Sequence, residues 1–233
     1  MNRPVLIRKL GPRDYMETYE YMKTLTMERR ENSPDEIWLL EHYPVFTLGL
    51  AGRMEHILDP GQIPVIQSDR GGQVTYHGPG QLVCYLLLDL KRGKLPVKTL
   101  VRGIEQAVID MLHSLGLAAE RRNGAPGVYV SGSKIASLGV RVRRGCCYHG
   151  LALNVDMDTA PFLSIDPCGY PGLTVTQLKE CGVSMTVDAA ADVLLPLLLV
   201  NLGYEPGNIS TYSESDDDRP VAADNTVEFE YDD

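Results

Sequence analysis

Of the five cysteines in this 233-residue chain, Cys168 has the setting of a nucleophile. It lies in SIDPCGYPGLT, between Pro167 and Gly169, with Pro171 and Gly172 just beyond. A rigid loop presents a thiol without crowded backbone, and loops on rigid scaffolds are where reactive groups concentrate. Cys84 sits inside an apolar run and reads as core. Cys146 and Cys147 belong to a strand pattern, and Cys181 ends a short helical stretch before Gly182. A cysteine nucleophile needs help to ionise, because the thiolate is the reactive form. His77, His149 or Lys134 can supply it. Lys134 stands in a Gly/Ser-rich turn leading into an apolar strand, a setting in which an amine can act as a base. Read alone, a lysine at a strand start is a solvated residue, and a loop cysteine is more often structural.

A second stretch, RGGQVTYHGPGQ at residues 70–81, sets four glycines and a proline among Arg70, Thr75, Tyr76 and His77. Glycine lets backbone approach a ligand closely. The stretch is therefore either an elaborate turn or one wall of a binding site. Two other candidates fall away. GVYVSGSK, residues 127–134, misses the phosphate-loop pattern: Ser133 separates Gly132 from Lys134, and Ile135 stands where the magnesium-binding hydroxyl belongs. Cys146 and His149 have a ligand-like spacing, but positions i and i+3 of a strand face opposite ways, and no second pair accompanies them.

The elements that must position these residues follow from periodicity. PVLIRKL from Pro4 reads as a strand. A helix opens at Gly11-Pro12 and runs to about Arg30, with Tyr15, Tyr19 and Met22 on one face. IWLLEH, VFTLG and residues 64–67 read as strands around Pro44. QLVCYLLLDL, residues 81–90, has the continuous apolar character of a strand buried on both faces. Residues 96–115 form the clearest helix, with Val97, Val101, Ile104, Val108, Met111 and Leu115 as its stripe and Gly116 at its end. KIASLGVRV and CCYHGLALNV form a hairpin through Arg143-Arg144-Gly145. A last helix starts near Thr186, and Pro196 should kink or shorten it. Helices, strands and a hairpin are mixed without repeats or a clean linker. The expected fold class is therefore α+β, a single domain with a mixed β-sheet flanked by helices.

Composition is that of a soluble globular chain, 44% hydrophobic and 23% charged. No apolar run reaches membrane-spanning length, and the N-terminus lacks signal-peptide features. An odd cysteine count at irregular spacing argues against a disulfide framework and for a reducing, cytoplasmic location. Residues 213–233 hold nine acids and one arginine, so this tail carries −8 of the net charge of −9. The near-neutral body holds basic clusters: Lys91, Arg92 and Lys94; Arg121 and Arg122; Arg141, Arg143 and Arg144. These suit solvated loops or the docking of an acidic protein. Neither the pI nor aromatic interleaving supports nucleic-acid binding.

Taken together, the segments resemble the lipoyl(octanoyl) transferases. RGGQVTYHGPGQLVCY looks like that family's signature, and GSKIASLGVRV, YHGLALNV and DPCGYPGLTVTQL match further blocks in order. EHYPVFTLG resembles an earlier block, although Tyr43 stands where the family more often has proline. The likeness spans roughly residues 5–203. It implies the biotin/lipoate ligase-like fold, related to class II aminoacyl-tRNA synthetases, in a catalytic domain of residues 1–204, followed by an acidic, disordered tail at 205–233. It implies transfer of an octanoyl or lipoyl group from acyl carrier protein to a lysine of lipoyl domains, those of 2-oxoacid dehydrogenase complexes and the glycine cleavage H protein. No cofactor, ATP, metal, membrane or nucleic acid is implied. Cys168 would carry the acyl thioester, and Lys134 would favour its thiolate. Arg70, Gly71, Gly72, Gln73, Val74, Thr75, Tyr76 and His77 would line the acyl site, with Ser137, Leu138, Gly139, Gly150, Leu151 and Ala152. Burying the octanoyl methylenes, at about 0.8 kcal/mol each, offers roughly 5 kcal/mol and favours an apolar tunnel. The alternatives are an ATP-dependent lipoate- or biotin-protein ligase of the same fold, a Cys–His hydrolase, and a non-catalytic acyl or lipoyl-domain binding module.

Overall fold

The computed structural model describes residues 4–169, 172–205, 207 and 209–212. Eleven strands are present among them: β1 (Val5–Arg13), β2 (Asp35–His42), β3 (Val45–Leu48), β4 (Val65–Gln67), β5 (Val74–His77), β6 (Gln81–Asp89), β7 (Ala119–Arg122), β8 (Ala125–Val130), β9 (Ser133–Arg143), β10 (Cys146–Asn154) and β11 (Ile209–Tyr212). The helices are α1 (Tyr15–Glu28), α2 (Val97–Ser114) and α3 (Val187–Asn201). Eight strands form one sheet in the order β11-β1-β2-β6-β10-β9-β8-β7, and β4-β3-β5 form a second. β1 runs parallel to β11 and β2, whereas β6, β10 and β9 are antiparallel neighbours, so the sheet is mixed as expected.

The apolar run of β6 must hide two faces, and two layers do so. Leu82, Cys84, Leu86 and Leu88 join the main core with Leu100, Ile104, Val108 and Met111 of α2 and Leu194 and Leu198 of α3. Val83, Tyr85 and Leu87, at the alternate positions, face Tyr15, Tyr19 and Met22 of α1. Strand periodicity thus divides one continuous run between two cores. A third cluster joins Phe46, Leu48, Val74 and Tyr76 of the small sheet to Met157, Phe162 and Ile165.

Several expectations change. β1 continues through Gly11-Pro12, and α1 starts later, where the Asp14 side chain accepts from the Glu17 N–H at 3.1 Å. That cap satisfies one of the unpaired N–H groups of the first turn and sets the helix start. Pro196 lies inside α3, which continues to Asn201. On α2 the buried stripe turns toward Leu100 and Leu112, leaving Val97 42% exposed. β5, β7, β8 and β11 were not foreseen. The domain boundary expected after residue 204 is passed by β11, which pairs with β1 over residues 209–212. Residues 213–233 lie outside the described residues.

Asp35 ties the far edge of these layers together. Fully buried, it accepts from Arg29 and Arg92 at 2.7 Å each, from the Tyr204 hydroxyl at 2.7 Å, and from the Asp89 N–H at 2.8 Å. Arg92 is thereby taken out of the surface cluster to which its sequence neighbours assign it. Removing one partner of such a pair leaves buried charge uncompensated, which costs about 3–5 kcal/mol. Asp35→Ala is expected to lower unfolding free energy by that amount in a urea titration. A change under about 1 kcal/mol would show that the arginines find other partners.

Candidate active site

Four residues of the Gly-rich stretch, 74–77, form the strand β5. β5 pairs antiparallel with β3, bringing Thr75 opposite Thr47 and His77 opposite Val45. The preceding loop is held by Arg70, which is 8% exposed. Its guanidinium donates to the Thr47 carbonyl at 2.6 Å, the Thr47 hydroxyl at 2.9 Å, the Gln73 carbonyl at 2.7 Å and the Gly71 carbonyl at 2.9 Å. A planar fork of donors can satisfy several carbonyls at once, which an ammonium cannot do in that geometry. The loop then lies against β9: the Gly71 N–H donates to Val140 O at 3.2 Å. A Cβ at Gly139 would stand 2.7 Å from Gly71 O, so only glycine permits this approach.

Between this loop and the main sheet runs a narrow cavity. It is lined by Arg70, Gly72, Gln73, Val74, Thr75, His77, Ser137, Leu138, Gly139, Gly150, Leu151 and Ala152, all expected at an acyl site, and also by Tyr15, Val83, Tyr85 and His149. Gly71 lines a neighbouring cleft instead. Tyr76 does not line the cavity; its ring packs on Phe46 and Phe162 in the third cluster. Strand alternation explains this, since His77 and Thr75 take the opposite face. Tyr15 and Val83 were hidden in the sequence because each reads simply as a core position.

Tyr15, His77, Tyr85 and His149 give the cavity a wall of polar rings whose hydrogen bonds are internal. His77 Nδ1 faces Gln81 Oε1 at 2.7 Å; the Gln81 amide nitrogen donates to Asn154 Oδ1 at 2.9 Å, so its oxygen accepts and Nδ1 carries the proton. His42 Nδ1 donates to Arg13 O at 3.0 Å, and its Nε2 accepts from Tyr85 at 2.7 Å. His149 Nε2 donates to Asp69 Oδ1 at 3.0 Å, and Tyr148 donates to the other oxygen. Burial pushes His77 down to about 3 and His42 to about 4, and it lowers His149 as well. All three rings are neutral near pH 7. Burial alone would raise Asp69, but bonds from His149 and Tyr148 outweigh it and hold the carboxylate at about 2.

The neighbouring cleft, the wider of the two, shares Gly72, Gln73, Leu138 and Gly139 with the cavity and adds Lys134, Gly124, Ala125, Pro126 and Val101. Lys134 is 2% exposed. Its Nζ donates to Pro126 O at 3.1 Å and lies 5.3 Å from the Tyr129 ring centroid. The Lys134 backbone is bracketed by the segment after Cys168: its N–H donates to Thr174 O, and its carbonyl accepts from Thr176, each at 2.9 Å. The segment before Cys168 is anchored too. Asp166 N–H donates to His56 O at 2.9 Å, Ile165 bridges Ile57, and His56 Nδ1 lies 3.4 Å from Asp166. Cys168 sits in a 3-10 turn, Pro167–Gly169, that packs beside β5. Both ends of its loop are therefore fixed, one of them on the strand that carries Lys134.

The lipoyl protein ligase A/B catalytic domain matches residues 14–198. The chain belongs to this family. Among relatives in it, an octanoyltransferase of Alkalilimnicola ehrlichii is 56% identical over 204 residues, covering 87% of this chain and 95% of that protein. An octanoyltransferase of Azoarcus sp. is 60% identical over 198 residues, covering 84% and 87%. Solved structures carry the fold further. A lipoate-protein ligase A bound with ATP superposes with TM-score 0.72 at 16% identity, covering 92% of this chain and 90% of that one. The biotin protein ligase of Aquifex aeolicus does so at 0.52 and 14%, covering 87% and 70%. The lipoate and biotin ligase fold expected from the sequence is the fold of this chain. Among the described residues no helix is long and apolar enough to cross a membrane.

The buried neutral histidines set a pH dependence. Their folded values lie below the ordinary 6.5, so the unfolded chain binds protons first on acidification. Their contribution to stability is complete above about pH 6.5 and is lost as pH falls toward the folded values. His42 and His77 should each reduce unfolding free energy by up to about 1.4 kcal/mol per pH unit in that window. Asp69, held below its ordinary value, contributes fully above 3.8 and loses that contribution only as pH falls toward about 2, well under this range. Urea titrations at pH 7.0, 6.0 and 5.0 should show a progressive fall. A flat profile would mean that the rings are already protonated in the folded protein.

Proposed function

We propose that the protein transfers an octanoyl group from acyl carrier protein to a lysine of a lipoyl domain, through a thioester on Cys168. The observation that carries this reading is the shared anchorage of Lys134 and the Cys168 loop beside a cavity with a Gly-rich wall. The octanoyltransferase relatives support the reaction class. The acyl chain occupies the cavity, while the thioester carbonyl lies where cavity and cleft meet. Arg70 holds the loop by its carbonyl bonds and makes the wall rigid.

Lys134 takes the thiol proton, and the Cys168 thiolate attacks the donor thioester. The new C–S bond forms as the old one breaks, and the departing thiolate recovers the proton. Exchange of one thioester for another is nearly even in energy. The acceptor lysine then attacks, the thioester becomes a more stable amide, and the Cys168 thiol is restored. Two easier steps replace one hard one, and no ATP is consumed. Lys134 serves as base in both halves.

Incubation with octanoyl-acyl carrier protein should add one octanoyl mass to the wild-type chain, and a lipoyl domain should then remove it. Cys168→Ala abolishes both. Lys134→Arg loses most of the activity, since arginine does not give up its proton. Full transfer by Cys168→Ala would sink the thioester route. Turnover that requires ATP and free acid would identify a ligase instead.

A further inference from the structure

Gln73 lies where the two halves of the site join: it lines both the cavity and the Lys134 cleft. Its carboxamide rests on the turn that carries Cys168. A Cβ built on Gly169 would stand 2.7 Å from the Gln73 amide carbon and 2.8 Å from Nε2. Only a glycine next to Cys168 lets the amide come this close. Among the described residues the carboxamide is committed to no hydrogen bond: Oε1 is buried without a partner, and Nε2 donates to none, so its N–H groups are available to a bound acceptor. Buried polar atoms are almost always paired, and an exception at a site calls for an explanation. A residue kept only to hold the loop would use its amide for that purpose, as Arg70 uses its guanidinium.

Two nearby backbone donors are already engaged. The Gly169 N–H donates to Asp166 O at 2.9 Å, and the Gly71 N–H donates to Val140 O at 3.2 Å. A developing negative charge on a thioester oxygen at this junction needs another donor.

We propose that the Gln73 carboxamide is that donor, hydrogen-bonding through its N–H to the thioester carbonyl oxygen in both half-reactions. The inference rests on the transfer proposed above. When the Cys168 sulfur attacks, a C–S bond forms and the carbonyl π pair moves onto oxygen, where the Gln73 N–H stabilises it. The pair returns as the donor's C–S bond breaks, and the leaving thiolate takes the proton held by Lys134. In the second half the acceptor nitrogen attacks the same carbon, the same N–H stabilises the oxygen, and the bond to Cys168 breaks. The amine's proton passes through Lys134 to the Cys168 thiolate.

The test is single-turnover formation of the octanoyl-enzyme from octanoyl-acyl carrier protein, read by intact mass, with Gln73→Met and Gln73→Glu in the full chain. Methionine preserves length and removes the donor, whereas glutamate places a negative group beside the oxygen. Loss of one oxyanion donor lowers the chemical rate about 100-fold or more. The expected result is such a loss in Gln73→Met, with half-saturating donor concentration changed by less than about 3-fold, and a greater loss in Gln73→Glu. A wild-type rate in a folded Gln73→Met, or a defect confined to half-saturation, overturns the proposal. In the wild type, the Gln73 amide proton resonances should move downfield when the thioester is present, and resonances that stay in place also overturn it. Absence of octanoyl on the wild-type chain removes the transfer reading itself, whereas an acylated wild type beside a fully active Gln73→Met removes only the role of Gln73.

Discussion

Everything in this structure follows from a central strand with two apolar faces. β6 alternates Leu82, Cys84, Leu86 and Leu88 with Val83, Tyr85 and Leu87, and neither set can be left in water. α2 and α3 cover the first face with a continuous aliphatic layer. The second receives α1 and, beside it, the small β4-β3-β5 sheet with its Gly-rich loop. A helix and a small sheet do not tile a twisted surface without a gap. That gap, between Tyr15 of α1, the loop at residues 70–75 and the facing side chains of β6, β9 and β10, is the cavity.

A cavity so placed must have walls that do not collapse into it. Its polar residues are rigid because their bonds point away from the space they line. Arg70 is fastened to Thr47 and to its own loop, His77 to Gln81, and His149 to Asp69. Burial keeps the imidazoles neutral, so the wall offers rings without net charge to an apolar chain. A buried network satisfied in this way specifies one geometry, because each alternative leaves a donor or acceptor unpaired.

The sequence made the layers legible where a period was clear. The double burial of β6, the helix at α2 and the β9–β10 hairpin needed only apolar spacing and turn residues. It was less informative where tertiary pairing overrides local signals. Gly11-Pro12 reads as a helix start, yet β1 runs through it because β2 pairs alongside. β11 carries no strand pattern of its own and exists by pairing with β1. At the candidate site, the glycine pattern pointed to the wall, but not to which side chains face inward. The resemblance places Tyr76 with His77 in one lining, although adjacent residues of a strand take opposite faces. Tyr15 and Val83 line the cavity from positions that look like plain core. Asp69 orients His149 from outside the cavity, and no spacing rule joins two residues brought together by loop and strand.

The division between cavity and cleft has a chemical consequence. Gly72, Gln73, Leu138 and Gly139 line both, so the wall that holds a chain also borders Lys134. Residues far from this junction border one space only: Tyr15 and Tyr85 the cavity, Pro126 the cleft, where it accepts from Lys134. A transferase needs the chain to stay in place while one protein partner leaves and another arrives, and a junction of this kind allows that. In the proposed transfer the acyl group would remain seated in the cavity, with its thioester at the shared wall, while the cleft is vacated and refilled. Fixing the Cys168 loop at both ends would keep that thioester in one position between the two visits. Rigidity at the wall and openness in the cleft are therefore requirements of the same reaction, and β6, by its need for two covers, generates both.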